Sequence, residues 1–121
     1  MSDNIDRKLW KVAEAGDEDL VSHFMDQATV DWRGDGDFTA LHNAAYKGRT
    51  PVVTRLLDAG WSLEARSVSG DTPLSLAAYC GHLETAKYLM LRGADMDIQD
   101  NDKDTPLHRA SSEGHSELIK I

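Results

Sequence analysis

The sequence predicts an all-α solenoid, built from stacked helix-turn-helix units that are joined by polar turns. Nearly the same phrase occurs three times at a step of 33 residues, in residues 39–45, 72–78 and 105–111. A fixed period of this length indicates copies of one supersecondary unit, each of which packs on its neighbours. Glycines keep the same step and mark the expected helix ends, at Gly48, Gly81 and Gly114 and again at Gly60 and Gly93.

The first helix of each unit is predicted from its capping residue and its apolar spacing. In the second unit, Thr39 can cap the helix by accepting a hydrogen bond from an amide of the first turn. Leu41, Ala44 and Ala45 then recur at helical spacing. Gly48 can adopt the left-handed conformation that commonly ends a helix, so we expect a helix of about two turns.

The second helix of the same unit follows at once. Pro51 suits its first turn, and Gly60 ends it. Helices this short do not persist alone in water, so their apolar faces must pack on each other and on neighbouring units. Small alanines in the first helices and bulkier leucines in the second should curve the stack, with the first helices on the concave face. We expect four leucines to be buried between units: Leu56, Leu74, Leu89 and Leu107.

We assign the whole chain, residues 1–121, to one domain of four units. The first unit lacks the repeated phrase, and its polar residues suit a solvated N-terminal cap. The last unit stops at Ile121, within its second helix, so we expect that the natural chain continues or that this chain is a fragment. The units cover residues 1–33 (the cap), 34–66, 67–99 and 100–121 (truncated).

The repeated phrase resembles the signature of the ankyrin repeat, Thr-Pro-Leu-His-x-Ala at a 33-residue period. One copy reads Thr-Pro-Leu-His-Arg-Ala, in residues 105–110. Residues 81–84 and 114–117 are similar to the family's Gly-His-x-Glu, and residues 93–97 are similar to its Gly-Ala-Asp-Val-Asn. The resemblance covers essentially the whole chain. It implies an ankyrin-repeat solenoid in which the polar stretches between helix pairs form β-turn or hairpin fingers.

The three polar stretches are rich in Gly, Asn, Asp and Ser, which favour tight turns. Gly70 occupies the usual glycine position of such a finger, whereas Asp37 and Lys103 replace glycine in the other two. We therefore expect those two fingers to turn differently. The stretches are residues 31–37, 66–71 and 99–104.

The composition limits the cellular compartments and the classes of partner that we expect. With 121 residues, 40% hydrophobic and 28% charged, the chain is typical of an ordinary soluble domain, and we expect a monomer. No apolar run approaches the roughly 20 residues that span a bilayer, so no membrane insertion is expected. The lone cysteine, Cys80, excludes an intrachain disulfide and favours the cytoplasm or the nucleus. A formal net charge of -8 disfavours nucleic acid and would attract a basic protein or peptide.

The histidines, aspartates and cysteine that could take part in catalysis or metal binding are better explained by structural roles. The resemblance implies that His42 and His108 bond the threonine of their own phrase and the backbone of a neighbouring repeat. The aspartates of residues 95–104 alternate like a calcium loop, but the glycine and glutamate of such a loop are missing, so we expect a solvated acidic finger. Cys80 has no local base. We predict no catalytic, cofactor-binding or metal-binding residue, and therefore no enzyme.

The resemblance places the partner surface on the fingers and on the exposed side of the first helices. Phe38, Tyr46, Val68 and Tyr79 would form an aromatic and apolar stripe, and aromatic residues are favoured in binding hot spots. The alternative is that Tyr46 and Tyr79 only cover seams between helices, with their hydroxyls in water. The candidate residues are Arg33, Asp35, Phe38, Tyr46, Lys47, Val68, Ser69, Asp71, Tyr79, Cys80, Asp102, Asp104, Ser112 and Glu113.

These observations predict protein–protein recognition without catalysis, along a concave surface of helices and fingers. The alternative is an architectural role, as the N-terminal ankyrin segment of a longer signalling, channel or enzyme protein. The resemblance also suggests a modification, because an asparaginyl hydroxylase acts on the last residue of the Gly-Ala-Asp-Val-Asn turn in ankyrin repeats. Asp97 stands at that position in the best-matching turn and is the candidate for hydroxylation.

Overall fold

The computed structural model describes residues 2–112, with side chains described from residue 5 to residue 111. Seven α-helices and one 3₁₀ turn, Asp35–Asp37, occur in that range, and no strand does. None of these helices is long and apolar enough to cross a membrane. The helices are α1 (Ser2–Ala15), α2 (Glu18–Met25), α3 (Ala40–Tyr46), α4 (Thr50–Asp58), α5 (Pro73–Tyr79), α6 (Leu83–Leu91) and α7 (Pro106–Ser112).

The helices form two rows. The first helices of the units, α1, α3, α5 and α7, pack on one another in that order, and the second helices, α2, α4 and α6, form the other row. Each second helix also packs on the first helix of its own unit. Because consecutive units pack on each other through both rows within residues 2–112, the predicted all-α solenoid is confirmed.

Threonine caps start the first helices as predicted. The side-chain oxygens of Thr39, Thr72 and Thr105 accept hydrogen bonds from the backbone amide three residues later, at 3.2–3.3 Å. Gly48 and Gly81 follow the helices with φ of 71° and 74°, a conformation that costs a glycine little. The unit therefore begins and ends its first helix through residues that recur in the sequence.

Three of the four leucines expected between units are buried. Leu56, Leu74 and Leu89 are at most 2% exposed, but the prediction is wrong for Leu107, which is 40% exposed. Helix α7 packs on α5 with Ala110 fully buried, and Leu107 instead lines a shallow apolar cleft between α5, α6 and α7. It stays exposed because no helix within residues 2–112 fully covers that cleft.

The polar stretches form three short hairpin turns, which we call finger 1 (residues 34–38), finger 2 (67–71) and finger 3 (100–104). In each finger the backbone amide of the first residue donates to the carbonyl of the last, at 2.8–2.9 Å. Successive fingers are also bonded to each other. The amide of Val68 donates to the carbonyl of Gly36, and the amide of Asn101 donates to the carbonyl of Ser69, both at 3.0 Å.

The expectation that two fingers turn differently is wrong for finger 3, and it holds for finger 1 only at Gly36. Asp37, Gly70 and Lys103 all have left-handed backbone, with φ of 60°, 82° and 67°. The hydrogen bonds that close each finger hold this conformation even where glycine is absent, and aspartate visits it more readily than most residues. Finger 1 differs only in having a second left-handed residue, Gly36, with φ of 68°.

The two histidines of the repeated phrase make hydrogen-bond contacts that support the fold. The Nδ1 of His42 lies 3.0 Å from the hydroxyl of Thr39, and its Nε2 lies 2.9 Å from the carbonyl oxygen of Asp71 in the next unit. His108 makes the corresponding contact with Thr105, at 3.1 Å. The contacts of His42 agree with the structural role that the resemblance implies.

Candidate interaction surface

Four residues, Gly36, Phe38, Tyr46 and Val68, form an exposed patch where fingers 1 and 2 meet α3, which we call the aromatic patch. The Phe38 ring stacks on His42 with 5.3 Å between centroids and meets the edge of Tyr46 at 6.3 Å. Val68 is held beside finger 1 by its amide bond to the carbonyl of Gly36. Tyr46 is 42% exposed and Val68 is 65% exposed, so the patch presents both to solvent.

Charged side chains at the edge of the aromatic patch pair loosely with the first helices. The Lys47 ammonium lies 5.5 Å from the centroid of Tyr46 and 3.8 Å from the carboxylate of Glu14. The Asp35 carboxylate is 3.9 Å from the guanidinium of Arg7, and its side chain is 82% exposed. Exposed ion pairs of this kind contribute little to stability, so these charges can be used by a partner.

Arg33 is exposed, and its guanidinium is also bonded to finger backbone. Its Nη1 donates to the carbonyl of Asp37 at 2.9 Å and to that of Arg66 at 2.6 Å. Arg66 repeats the second bond one unit later, to the carbonyl of Gln99. These arginines therefore tie each finger to the next, in addition to offering charge at the surface.

The ring of Tyr79 does not extend the aromatic patch, because an arginine covers it. It is half-buried, and the guanidinium of Arg109 lies 4.5 Å from its ring centroid. Cys80, half-buried beside it, also has an interaction partner within the chain. The continuous stripe expected from the sequence is thus interrupted at Tyr79, where an arginine covers the aromatic face.

Asp71, expected at the surface of a finger, is buried and only 6% exposed. It closes finger 2 with its backbone, and its carboxylate turns toward the guanidinium of Arg109 at 3.4 Å. Burial raises the pKa of this carboxyl, and Arg109 opposes the rise in part. The expectation of an exposed contact residue is wrong at Asp71, because the turn directs the side chain inward to the neighbouring unit.

The acidic finger is not solvated throughout, contrary to the expectation from the sequence, because the side chain of Asp100 is only 1% exposed. One carboxylate oxygen accepts from the amides of Asp102 and Asp104, both at 2.9 Å, and the other accepts from Arg109 at 2.7 Å. Burial opposes ionisation of Asp100, but hydrogen bonds from Asp104 and Arg109 outweigh it and lower the pKa of this carboxyl. Asp100 and Arg109 together anchor α7 to finger 3.

Replacing Arg109 with methionine is expected to lower the free energy of unfolding by about 2 kcal/mol, because the carboxylates of Asp71 and Asp100 lose their shared partner in a buried site. The matched control is Arg92→Met, which removes an exposed pair with Asp58 at 3.0 Å and should cost under about 1 kcal/mol. Urea denaturation at neutral pH measures both. Equal losses in the two variants would contradict the anchoring role.

Two residues of the anchor, Asp100 and Arg109, are absent from the predicted site. The 33-residue period could have predicted a role for Asp100, which stands 33 residues after Ser67. The Ser67 hydroxyl oxygen accepts hydrogen bonds from the amides of Ser69 and Asp71 in finger 2. A polar side chain at this position therefore supports each of the last two fingers. The pairing of Asp100 with Arg109 could be read only from the structure.

The candidate residues fall into classes of exposure. Ser112 lies at the end of α7 with its side chain outside the described range, and Glu113 lies outside the described residues. Arg33, Asp35, Tyr46, Lys47, Val68, Ser69 and Asp102 are exposed, Phe38, Tyr79, Cys80 and Asp104 are half-buried, and Asp71 is buried.

Asp97, the hydroxylation candidate, is exposed, and its own amide donates to the carboxylate of Asp95 at 2.8 Å. The residues at the equivalent position in earlier units are Asp31 and Glu64. Their carboxylates accept the amides of Ser62 and Asp95 in the following unit, at 2.8 and 3.1 Å. Hydroxylation of Asp97 stays a prediction.

No group of three or more His, Cys, Asp or Glu side chains that could hold a metal ion occurs in the part of the chain that the structure describes.

Comparison with known families agrees with the fold. A model of the ankyrin repeats matches residues 9–100 with three copies of the repeat, which is more than half of the chain. The chain therefore belongs to the ankyrin-repeat family. Ankyrin repeats generally act as protein–protein interaction modules and are typically non-catalytic. No curated protein gives a significant match to this chain.

Proposed function

We propose that this chain is a non-catalytic recognition module that binds a partner protein or peptide on the aromatic patch and the adjoining fingers. The observation that carries the proposal is the contact between the rings of Phe38 and Tyr46, with the exposed Val68 of the next unit beside them. The patch therefore extends over two units. Aromatic side chains that are already ordered can anchor a partner at low entropic cost. A surface of this kind suits a short extended segment that lies across the fingers.

The charges around the aromatic patch support a partner segment with at least one basic residue. Asp35, Asp37 and Asp102 are exposed on the fingers, and the whole chain has a formal net charge of -8. Opposite charges raise the rate of encounter and help to fix the register of the bound segment. The same negative charge opposes binding to a phosphate backbone. The lone Cys80 supports a place in the cytoplasm or the nucleus.

The test begins by identifying a partner through capture from cell extract on the immobilised chain, followed by surface plasmon resonance on purified variants. Tyr46→Ala is expected to weaken binding by about 1–3 kcal/mol, mainly through faster dissociation, because it removes an anchoring ring. The matched control is Tyr88→Ala, which removes a half-buried tyrosine of α6, on the row of second helices. It should bind like the parent chain.

A separate arm tests the charges. Asp102→Asn is expected to slow association at low salt and to flatten its salt dependence, while dissociation changes little. Loss of binding in Tyr88→Ala but not in Tyr46→Ala would place the site on the second helices and contradict the proposal. Thermal melting of each variant confirms that it remains folded.

A further inference from the structure

Ser69 is an exposed serine at the tip of finger 2. Its backbone is ordered, since its amide donates to the Ser67 hydroxyl at 3.3 Å and its carbonyl accepts from the amide of Asn101 at 3.0 Å. Its own hydroxyl has no hydrogen-bond partner among the described residues. Ser67 differs, because it is buried and its oxygen also accepts from the amide of Asp71 at 3.1 Å. Ser69 is therefore the accessible hydroxyl of this finger.

An arginine stands close to Ser69 in sequence, and its guanidinium lies beside the next residue, Gly70. Arg66 lies three residues before Ser69 and is exposed. Its Nη2 is 3.1 Å from the position that a Cβ atom would take on Gly70, the residue after Ser69. An arginine at this spacing is what arginine-selective serine kinases bind in an acidic pocket, and a guanidinium is also a good partner for a phosphate group.

The finger architecture already accommodates an acid at this position. Asp102 stands 33 residues after Ser69, is exposed, and lies at the tip of finger 3. In both fingers the residue that follows has left-handed backbone, and its amide closes the turn at 2.9 Å, from Gly70 to Ser67 and from Lys103 to Asp100. A negative group at the tip is therefore compatible with an unchanged turn.

We propose that Ser69 is a phosphorylation site for a protein kinase that selects arginine three residues before the serine. The Ser69 oxygen forms a bond to the γ-phosphorus of ATP as the bond from that phosphorus to the bridging oxygen of ADP breaks. The hydroxyl proton passes to the kinase's catalytic carboxylate, and ADP leaves. The product is a phosphate monoester with about two negative charges at neutral pH.

The consequence for partner binding rests on the proposed function. The phosphate would stand next to Val68 of the aromatic patch, on a face where Asp35, Asp37 and Asp102 are already exposed. It would therefore strengthen the attraction of this face for a basic partner and speed their association. The modification itself needs no partner, so its test is independent of the binding proposal.

The test incubates the folded chain with ATP and a purified catalytic domain of such a kinase, and locates the phosphoryl group by mass spectrometry. All proteins carry Ser112→Ala, because Ser112 also follows an arginine, Arg109, by three residues. In this background the parent chain is expected to gain one phosphoryl group, on Ser69, and Ser69→Ala is expected to gain none. Arg66→Gln should react about ten- to a hundredfold more slowly, the loss expected for one charge-assisted contact.

The matched control is Arg33→Gln. Arg33 donates to the backbone carbonyl of Arg66, as Arg66 donates to that of Gln99, so its replacement also loosens the backbone beside a finger but keeps the guanidinium three residues before Ser69. This variant should be phosphorylated at the parent rate. Absence of phosphate on Ser69 in the folded parent, an unchanged rate in Arg66→Gln, or an equal slowing in Arg33→Gln would each overturn the proposal.

Discussion

Leu74→Ala is expected to lower the free energy of unfolding by about 2–5 kcal/mol, as is found for buried leucines that leave a cavity. Leu74 is 2% exposed and belongs to the core that joins the third unit to its neighbours. A short solenoid has no other core to compensate, because each unit is stabilised mainly by the units next to it. Urea denaturation at neutral pH measures the change.

The matched control for this prediction is Leu91→Ala. Leu91 ends α6 and is 82% exposed, so the same substitution there should change the free energy of unfolding by under about 0.5 kcal/mol. Comparable losses at Leu74 and Leu91 would mean that the assignment of buried and exposed leucines is wrong. The denaturant dependence should stay the same in both variants, since neither alters the surface that unfolding exposes by much.

Acidification from pH 6.5 to pH 4 is expected to destabilise the fold through His42. Burial lowers the pKa of this imidazole from 6.5 to about 4, while hydrogen bonds to the backbone of Asp71 and Ala65 oppose the shift. Because the folded pKa lies below the unfolded one, the unfolded chain binds the proton first. Stability is therefore full above pH 6.5 and falls as the pH drops, by about 2 kcal/mol at pH 5.

The variant His42→Ser isolates this effect. Serine occurs naturally at the same position of the next unit, where Ser75 bonds the Thr72 hydroxyl at 3.1 Å, so the cap can be kept without an ionisable group. Denaturation of parent and variant at pH 7 and pH 5 should show that the variant loses about 2 kcal/mol less stability over this interval. The raised pKa of Asp71 and the lowered pKa of Asp100 act in both proteins, so the difference reports His42. An identical pH dependence would contradict the assignment.

The candidate surface was predictable in outline. Tyr46, Val68 and Ser69 are exposed as the repeat phase predicts, because the phase alone decides which side of a unit a residue occupies. Asp71 has a finger position yet is buried, and Tyr79 has a helix position yet lies under a guanidinium. Position within the repeat predicts the direction of a side chain, but it does not predict what a neighbouring unit places over it.

The sequence by itself determined the features that depend on local and periodic information: the threonine caps, the glycine helix ends, the helix pairs and the burial of Leu56, Leu74 and Leu89. These follow from the 33-residue step and from short-range hydrogen bonding. Only the tertiary structure decided that Arg109 joins Asp71 and Asp100, that Leu107 lines a cleft, and that Asp37 and Lys103 adopt the left-handed backbone of Gly70. Those features depend on contacts between units, which the position of a residue within the repeat does not specify. The cost of burying a charge, and the partners available to offset it, are properties of the assembled stack and of no single repeat.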